Sequence, residues 1–332
     1  MRCINNLLKK TVYWGLGVSL LSEFLWLSGC TKASYPVPFN EFGEEIESLP
    51  LEFNGNSRVE GFASDLASFV DDYKDRFVLE HGESGILIDM DNRSVVFASD
   101  AFKRMYPASI TKIMTAYVAL KYCSPEDLIV CGPGVTQISV PDAVVLGLKE
   151  GDTLTLDQAL HLAVPASYND VAVAIAEHVS GSVEAFAELM TKEAQALGAT
   201  GTHFANPHGL HEDDHYTTAY DIYLIFNAAV SNPDLLEIMQ CKQYQTTYHN
   251  RAGKEISASS TNTNYYFRGV YPMPDTVTIV GGKTGTTEEA KYCLALYVKD
   301  KFSKPYIAVI LKADTRENLY KDMTDLLNVL AN

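Results

Sequence analysis

The chain has 332 residues, of which 47% are hydrophobic and 20% are charged. This composition is that of a globular protein with one large or two small cores, and it excludes a disordered chain, a collagen-like fibre and a small disulfide scaffold. Acidic residues outnumber basic ones by 42 to 26 and give a formal net charge of −16, so we expect no nucleic acid partner.

The first thirty residues have the pattern of an export signal. A positive head contains three basic residues, Arg2, Lys9 and Lys10. The uncharged run over 11–22 is shorter than the roughly 20 residues that span a bilayer. Residues 27–30, Leu-Ser-Gly-Cys, resemble the lipobox of bacterial lipoproteins, so we expect a signal peptide over 1–29 and a lipid anchor on Cys30. Ordinary signal cleavage and an uncleaved anchor are alternatives, and all three predict a location at the extracytoplasmic face of the membrane.

Residues 30–58 are predicted to form a tether. The segment contains three prolines and several acidic residues, and its apolar residues follow no sustained period. The folded domain is expected over 59–332.

The cysteines of this domain give no indication of zinc or redox chemistry, because they include no Cys-x-x-Cys pair. They are Cys123, Cys131, Cys241 and Cys293. We favour four buried free thiols over the alternative of one bridge between Cys123 and Cys131.

Short strands and buried helices follow one another in the predicted domain. Residues 85–99 predict a β-hairpin with its turn at 91–93. A helix follows from about Ser109 to Tyr122, and its apolar residues lie nearly all round it, which indicates a buried helix. Later helices are indicated by a capping box at Thr155 and Gln158, an apolar run over 171–179, a cap at Ser182 with a stop at Gly198, and Asn232 followed by Pro233.

The end of the chain predicts three strands and a last helix. The strands are expected over 276–280, 292–298 and 306–311, and Asp314 with Glu317 is expected to open the helix. Strands at both ends with helices between them predict an α+β fold. In this fold an antiparallel sheet is flanked by terminal helices and carries an inserted all-helical lobe over about 110–215. A site is expected in the cleft between the two lobes.

A Ser-x-x-Lys motif, Ser109 to Lys112, starts the first buried helix. A spacing of three residues puts the hydroxyl and the amine on one helical face, where the amine can accept the hydroxyl proton. The helix N-terminus also favours negative charge that develops nearby. A chain of this length contains about one such motif by chance, so the motif alone does not establish a nucleophile.

A Ser-x-Asn motif occurs twice, at 167–169 and at 260–262. The first directly precedes a buried helix, whereas the second lies in a polar stretch that we interpret as a loop. We therefore favour Ser167 and Asn169 as site residues.

A third motif, Lys283-Thr284-Gly285-Thr286, follows two glycines at the end of a β-branched strand. A glycine within a strand leaves backbone exposed for an extended peptide to pair with. A fixed cation with neighbouring hydroxyls suits a terminal carboxylate. Taken alone, the motif is more typical of a glycine-rich turn with a solvated lysine.

In this order the three motifs resemble those of the active-site serine penicillin-recognising enzymes, the penicillin-binding proteins and serine β-lactamases. Four further segments resemble the D-alanyl-D-alanine carboxypeptidase branch, namely 106–109, 206–210, 215–221 and 262–264. The resemblance runs from about residue 80 to 332, and it implies a catalytic domain with the β-lactamase/transpeptidase-like fold.

The resemblance implies a role for each motif residue. Ser109 would attack the carbonyl between the two terminal D-alanines of a peptidoglycan pentapeptide, and Lys112 would be the base, with its pKa lowered by burial and by Lys283. Ser167 would relay a proton to the departing D-alanine. Asn169 would hold both the substrate amide and the Lys112 side chain.

The remaining implied roles concern the carbonyl oxygen and the carboxylate of the substrate. The backbone N–H groups of Ser109 and Thr286 would form the oxyanion hole. The substrate carboxylate would be bound by the third motif, Lys283, Thr284, Gly285 and Thr286. Arg316 is a weaker candidate for the same task. The resemblance implies covalent inhibition by β-lactam antibiotics, with no cofactor and no metal.

The sequence departs from this branch in two places. Tyr168 is bulkier than the small residue common between the serine and the asparagine. The chain also ends at Asn332, so we do not expect the second β-rich domain and the amphipathic helix of many such enzymes. A lipid on Cys30 would supply the membrane attachment instead.

Three other interpretations of the sequence are less favoured. A group of histidines at 203, 208, 211 and 215 could bind a metal, but the family keeps this stretch as a structural loop. A β-lactamase would need rapid deacylation, and no Glu-x-x-Leu-Asn follows the second motif. A non-catalytic penicillin-binding sensor is disfavoured because all motif residues are present. The sequence does not separate carboxypeptidase from endopeptidase or transpeptidase action.

Overall fold

The computed structural model describes residues 73, 77–141 and 143–331, and the predicted signal and tether lie outside this part. Within it the chain forms nine strands and seven α-helices. In chain order they are β1 (Ser84–Asp89), β2 (Ser94–Ser99), α1 (Thr111–Tyr122), β3 (Leu128–Val130), β4 (Thr153–Thr155), α2 (Leu156–Ala166), α3 (Asn169–Ser180), α4 (Val183–Ala196), α5 (Ala219–Val230), α6 (Pro233–Gln240), β5 (Gln243–His249), β6 (Glu255–Thr261), β7 (Val277–Thr287), β8 (Lys291–Asp300), β9 (Pro305–Ala313) and α7 (Arg316–Asn328).

Apolar residues near both ends of the described chain form a five-stranded antiparallel sheet in the order β2-β1-β9-β8-β7. Successive side chains of a strand point to opposite faces, so Ile86 and Leu87 enter different cores. Helices α1 and α5 belong to the core on one face, and α7 belongs to the core on the other. The α+β fold class predicted from the sequence is therefore confirmed.

Helix α1 is the central helix of the larger core. Its apolar residues go nearly all round, and Ile113, Met114 and Val118 are completely buried. Helices α2, α3, α4 and α5 all pack against it. The prediction of a buried helix is confirmed, although a short 3-10 turn over Ala108–Ile110 precedes α1. Burial of the whole helix fixes its N-terminal turn, where the Ser-x-x-Lys motif lies.

Capping residues in the sequence correctly predicted where three helices start. Thr155 and Gln158 form the predicted capping box, and Ser182 and Asn232 cap the next predicted helices. The prediction of Asp314 as the cap of the last helix is wrong, because the Thr315 hydroxyl accepts the N–H of Asn318 at 3.1 Å. The two residues are adjacent and both are good caps, so backbone geometry decides between them.

A second sheet has the order β3-β4-β5-β6. The interpretation of the polar stretch around Ser260 as a loop is wrong, because this residue lies in β6. Its side chain is buried and donates to the carbonyl oxygen of His161 at 2.7 Å, whereas Ser259 and Thr261 are exposed. Serine and threonine on both faces hide the alternation that normally indicates a strand. The segment 110–215 also contributes the short strands β3 and β4, which the sequence did not predict.

The four cysteines of the described chain are free thiols. Cys131 and Cys293 are buried, but Cys123 and Cys241 are half-buried, so the prediction of four buried thiols is wrong for two of them. Among the described residues, every helix is too short or too polar to cross a lipid bilayer.

Candidate active site

The three motifs meet at one cleft, and each is positioned by a different element. The Ser-x-x-Lys motif lies at the 3-10 turn and first turn of α1. The Ser167 motif lies at the junction of α2 and α3, where Ser167 takes a left-handed conformation with φ of 69° and ends α2. The Lys283 motif lies within β7, which continues to Thr287 instead of ending at residue 280 as predicted.

Two glycines hold the turn that carries Ser109. A Cβ at Gly285 would lie 2.7 Å from the carbonyl oxygen of Pro107 and 3.2 Å from the Ser109 nitrogen. A Cβ at Gly209 would lie only 1.9 Å from the carbonyl oxygen of Ala108. Ala108 itself has a φ of 47°, which is uncommon for a residue with a side chain. The turn is therefore packed against backbone on both sides.

The amine of Lys112 is the best-defined group of the site. The residue is 1% exposed, and its Nζ lies 3.1 Å from Ser109 Oγ, 2.7 Å from Asn169 Oδ1 and 2.7 Å from the carbonyl oxygen of His208. The last two atoms can only accept hydrogen bonds, whereas the Ser109 hydroxyl can also donate. A neutral amine therefore donates to Asn169 and His208 and directs its lone pair at the Ser109 hydroxyl.

Burial disfavours the charged form of the Lys112 amine. It lowers the pKa of Lys112 well below the ordinary value of 10.5, and the charge of Lys283 lowers it further. The carboxylate of Asp170 opposes both effects. Asp170 is itself buried and accepts the backbone N–H groups of residues 146–148 at 2.7–2.9 Å. It therefore also fixes the loop beside the cleft.

Lys283 pairs with the second serine. Its Nζ donates to Ser167 Oγ at 3.2 Å and to the carbonyl oxygen of Thr284 at 2.9 Å. The side chain is 2% exposed, and burial lowers the pKa of Lys283 to about 7. Each of the two serines thus contacts one buried amine.

A cavity of about 230 Å³ opens between these groups. Hydroxyl groups line one part of it, namely those of Ser109, Ser167, Thr263, Thr284 and Thr286. Aromatic and cationic side chains line another part, namely Tyr265, Arg268, Tyr292, Arg316 and Tyr320. The cavity therefore offers hydrogen bonds beside the two serines and positive charge at its wall.

The cationic wall contains one arginine that the sequence indicated and one that it did not. Arg316 donates from Nη1 to the Tyr265 hydroxyl at 2.9 Å, and the guanidinium groups of Arg316 and Arg268 both lie 4.9 Å from the centre of the Tyr265 ring. Arg268 follows no pattern that a single sequence reveals. Thr263 lies in a segment quoted for the resemblance, and its hydroxyl is 2.6 Å from that of Thr284.

The residues that the sequence singled out fall into three groups. Hydrogen bonds link Ser109, Lys112 and Asn169, and another links Ser167 and Lys283. Thr284 and Thr286 line the same cavity, and Gly285 packs beneath the Ser109 turn. Cys30 lies outside the described residues.

Two histidines of the predicted loop contribute to the site as supports. The carbonyl oxygen of His208 accepts from Lys112, as described above. The His215 Nδ1 accepts the N–H of Ala205 at 3.1 Å, so its Nε2 donates to the Thr111 hydroxyl at 2.8 Å. Burial lowers the pKa of each histidine to about 3, which keeps both rings neutral.

Tyr168, the bulky residue between Ser167 and Asn169, is directed towards the second sheet. Its hydroxyl donates to the carbonyl oxygen of Ser259 on β6 at 3.0 Å. The tyrosine therefore ties the junction of α2 and α3 to β6.

Comparison with known proteins finds a matching family model and several relatives. A family model described as D-alanyl-D-alanine carboxypeptidase matches residues 79–315. The carboxypeptidase DacF of Bacillus subtilis is 33% identical over 253 residues, which are 74% of this chain and 61% of DacF. DacD of Escherichia coli is 27% identical over 257 residues, which are 74% of this chain and 62% of DacD. The chain thus spans about 60% of the length of these curated relatives.

Solved structures show the same relationship at the level of the fold. A mutant of the Streptomyces K15 DD-transpeptidase superposes with a TM-score of 0.69 and 25% identity, over 75% of this chain and 97% of that one. Penicillin-binding protein 5 from Haemophilus influenzae superposes with a TM-score of 0.65 and 27% identity, over 75% and 70% of the two chains.

Proposed function

This chain belongs to the family of D-alanyl-D-alanine carboxypeptidases, and we propose that it removes the terminal D-alanine from peptidoglycan stem peptides through an acyl-enzyme on Ser109. One observation carries the proposal. Two neighbours of the Lys112 amine can only accept hydrogen bonds, so the lone pair of the neutral amine faces the Ser109 hydroxyl. This arrangement supports an activated serine, which an acyl-enzyme mechanism requires.

In acylation, Ser109 Oγ forms a bond to the carbonyl carbon of the penultimate D-alanine, and its proton passes to Lys112. The carbonyl oxygen becomes an oxyanion that accepts hydrogen bonds from the backbone N–H groups of Ser109 and Thr286. The close approach of Gly285 to the Ser109 nitrogen supports this pairing, because it brings the two backbones together. Each donor of an oxyanion hole contributes about a hundred- to a thousandfold in rate.

Departure of the terminal D-alanine breaks the peptide bond and requires a proton on the leaving nitrogen. Ser167 donates this proton and regains one from Lys283, a transfer supported by the 3.2 Å contact between Lys283 Nζ and Ser167 Oγ. The proton that Lys112 took from Ser109 then passes to the neutral Lys283, which makes Lys112 a free amine again. Water attacks the acyl carbon while Lys112 accepts a proton from it, and Lys112 returns this proton to Ser109 Oγ as the acyl C–O bond breaks. The products are a shortened peptide with a free carboxylate, and the Ser109 hydroxyl is restored.

The third motif binds the carboxylate of the terminal D-alanine. Lys283, Thr284 and Thr286 supply the cation and the hydroxyl groups, and Gly285 leaves the backbone of β7 open to the peptide. Asn169 holds the substrate amide while its Oδ1 accepts from Lys112. Arg316 lines the same cavity and adds positive charge there.

A β-lactam antibiotic would be attacked by the same serine. Opening of its ring forms an ester with Ser109, and the carboxylate of the drug occupies the place of the substrate carboxylate. Benzylpenicillin therefore tests the nucleophile directly.

The expected location follows from the substrate, because peptidoglycan lies outside the cytoplasmic membrane. The proposal includes export by the signal over 1–29 and lipid attachment at Cys30, supported by the Leu-Ser-Gly-Cys sequence that ends the signal. The Cys30→Ser variant should leave the membrane fraction, whereas Cys241→Ser should remain in it. Retention of the Cys30→Ser variant on membranes would contradict the lipid anchor.

The catalytic proposal is tested by intact-mass analysis after incubation with benzylpenicillin, together with an assay of D-alanine release from a pentapeptide. The wild type is expected to gain one penicillin mass and to release D-alanine. Ser109→Ala should lose both properties, and Ser257→Ala, at an exposed serine of β6, should keep both. An adduct that persists in Ser109→Ala would move the nucleophile to another residue.

A further inference from the structure

Three ligand-type side chains lie together at the ends of α1 and α3 remote from the cleft. Cys123 directly follows α1, Asp127 lies in the turn before β3, and His178 lies in the last turn of α3. A sulfur, a carboxylate oxygen and a ring nitrogen of these residues lie within 4.8 Å of one another. We call this group the helix-end cluster.

The histidine of the cluster has an unused polar atom. Its Nε2 is buried and has no hydrogen-bond partner, although buried polar atoms of proteins are nearly always paired. The carboxylate is held in place, because Asp127 Oδ2 accepts the N–H of Ser124 at 3.1 Å and the Asp127 N–H donates back to the Ser124 carbonyl oxygen at 3.0 Å. The cluster thus combines an oriented carboxylate with a ring nitrogen that lacks a partner.

The three ligand types match one class of ion. Thiolate and imidazole ligands select zinc and related transition metals, whereas calcium and magnesium prefer oxygen ligands alone. In a tetrahedral zinc site with bonds of about 2.0–2.3 Å, the ligand atoms lie somewhat closer to one another than the three atoms of the cluster do. Small side-chain rotations would bring the three atoms to that separation. The three residues are half-buried, which leaves room for water as a fourth ligand.

The electrostatic setting also favours a cation. The C-terminal ends of two helices meet at the cluster, and each carries partial negative charge on its unpaired carbonyl groups. The opposite ends of the same helices carry Lys112 and Asn169. With 12 residues each, these helices separate the two places by about 18 Å.

We propose that Cys123, Asp127 and His178 bind one zinc ion and that this ion ties the ends of α1 and α3 together. A sequence pattern does not indicate such a site, because the ligands are not paired in a Cys-x-x-Cys motif and His178 lies more than forty residues from the other two. The ion stabilises the fold and takes no part in the reaction at Ser109, so the inference stands whether or not the proposed activity is found.

The test is a titration of the full chain in detergent with zinc, its thiols kept reduced by a phosphine. Native mass spectrometry should show one zinc per chain, and the melting temperature should rise by about 5 °C at a hundredfold excess over Kd. Cobalt in place of zinc should give a thiolate-to-metal absorption band. This band should disappear in Cys123→Ser and persist in Cys241→Ser, which retains every other cysteine.

A second variant distinguishes a loss of zinc binding from a loss of folding. His178→Gln should weaken zinc binding at least tenfold while it keeps the wild-type circular dichroism and the benzylpenicillin adduct. The proposal is wrong if the wild type binds no stoichiometric zinc. It is equally wrong if Cys123→Ser and His178→Gln bind zinc as tightly as the wild type, because the ion would then sit elsewhere.

Discussion

Lys112 and Lys283 are two buried amines of one cleft, and each contacts a different serine. Nζ of Lys112 lies 3.1 Å from Ser109 Oγ, and Nζ of Lys283 lies 3.2 Å from Ser167 Oγ. Burial lowers the pKa of both amines, and the charge of Lys283 lowers the pKa of Lys112 further. The two lysines can therefore hold opposite protonation states, with Lys112 neutral and Lys283 charged, as the proposed mechanism requires.

This arrangement predicts a bell-shaped pH dependence for acylation by benzylpenicillin. The rate constant should rise as Lys112 loses its proton, at a pH well below 10.5, and should fall above about pH 7 as Lys283 loses its own. The second-order rate constant, measured from pH 5 to 10, reports the free enzyme. In Lys283→Arg the fall should be absent, since arginine stays protonated. A wild-type rate that climbs steadily to pH 10 would contradict the assignment.

Gly285→Ala should impair the reaction more than the fold. The new Cβ would meet the carbonyl oxygen of Pro107 at 2.7 Å and push the Ser109 turn away from β7. We expect kcat/KM to fall about a hundredfold and the free energy of unfolding to fall by about 1–3 kcal/mol. Gly281→Ala is the matched control, because its Cβ would meet only Met239 at 3.1 Å. Equal loss of activity in both variants would argue against the turn as the cause.

Asp170→Asn should destabilise the protein by about 3 kcal/mol or more. Both carboxylate oxygens of Asp170 accept backbone N–H groups, so an amide in either orientation leaves some of these donors without an acceptor. Asp152 is also buried, but its Oδ2 accepts the N–H of Lys149, a single bond that Asp152→Asn can preserve. Urea denaturation of the two variants compares them. A similar loss of unfolding free energy in both variants would show that the number of backbone N–H groups held by the carboxylate does not decide the outcome.

Acid should destabilise the fold through His208 and His215. Their pKa values are lowered to about 3 by burial, whereas the unfolded chain has the ordinary value of 6.5. The unfolded state therefore binds more protons between pH 6.5 and 3. Each histidine removes about 1.4 kcal/mol of stability per pH unit as the pH falls through that range, and has no effect above it.

His215→Asn tests this linkage. Asparagine can still accept the N–H of Ala205, so the variant should fold at pH 7 with reduced stability. Its free energy of unfolding should depend less steeply on pH between 6 and 4 than that of the wild type. Parallel curves for the two proteins over this range would show that His215 does not bind a proton on unfolding.

Local signals allowed much of the fold to be predicted. The caps at Thr155, Ser182 and Asn232 are decided by residues within one helical turn, so a sequence displays them directly. The sequence also indicated the buried helix α1, because its apolar residues lie nearly all round the helix. The choice between Ser167 and Ser260 also rested on context, and the structure puts Ser167 at the cleft and Ser260 within the second sheet, where its side chain donates to the carbonyl oxygen of His161.

Features that depend on distant contacts could not be predicted. Strands β5 and β6 carry serine and threonine on both faces, which weakens the alternation of polar and apolar residues, and both strands pack against α2. The carbonyl oxygen of His208 reaches Lys112 because Asn206 accepts two N–H groups of the intervening loop, at 3.2 and 2.7 Å. Arg268 enters the cavity wall from a loop with no regular pattern. Each of these depends on geometry that arises only in the folded chain.

The two glycine contacts around Ala108 limit how this protein can evolve. Main-chain atoms of Pro107 and Ala108 lie close to Gly285 and Gly209, so any side chain at either glycine would collide with the turn. Substitutions that change the cavity and spare this turn must therefore fall on other residues that line it. Val144 and Arg268 line the cavity and are exposed, so their side chains are free to vary in size and charge while the turn stays in place.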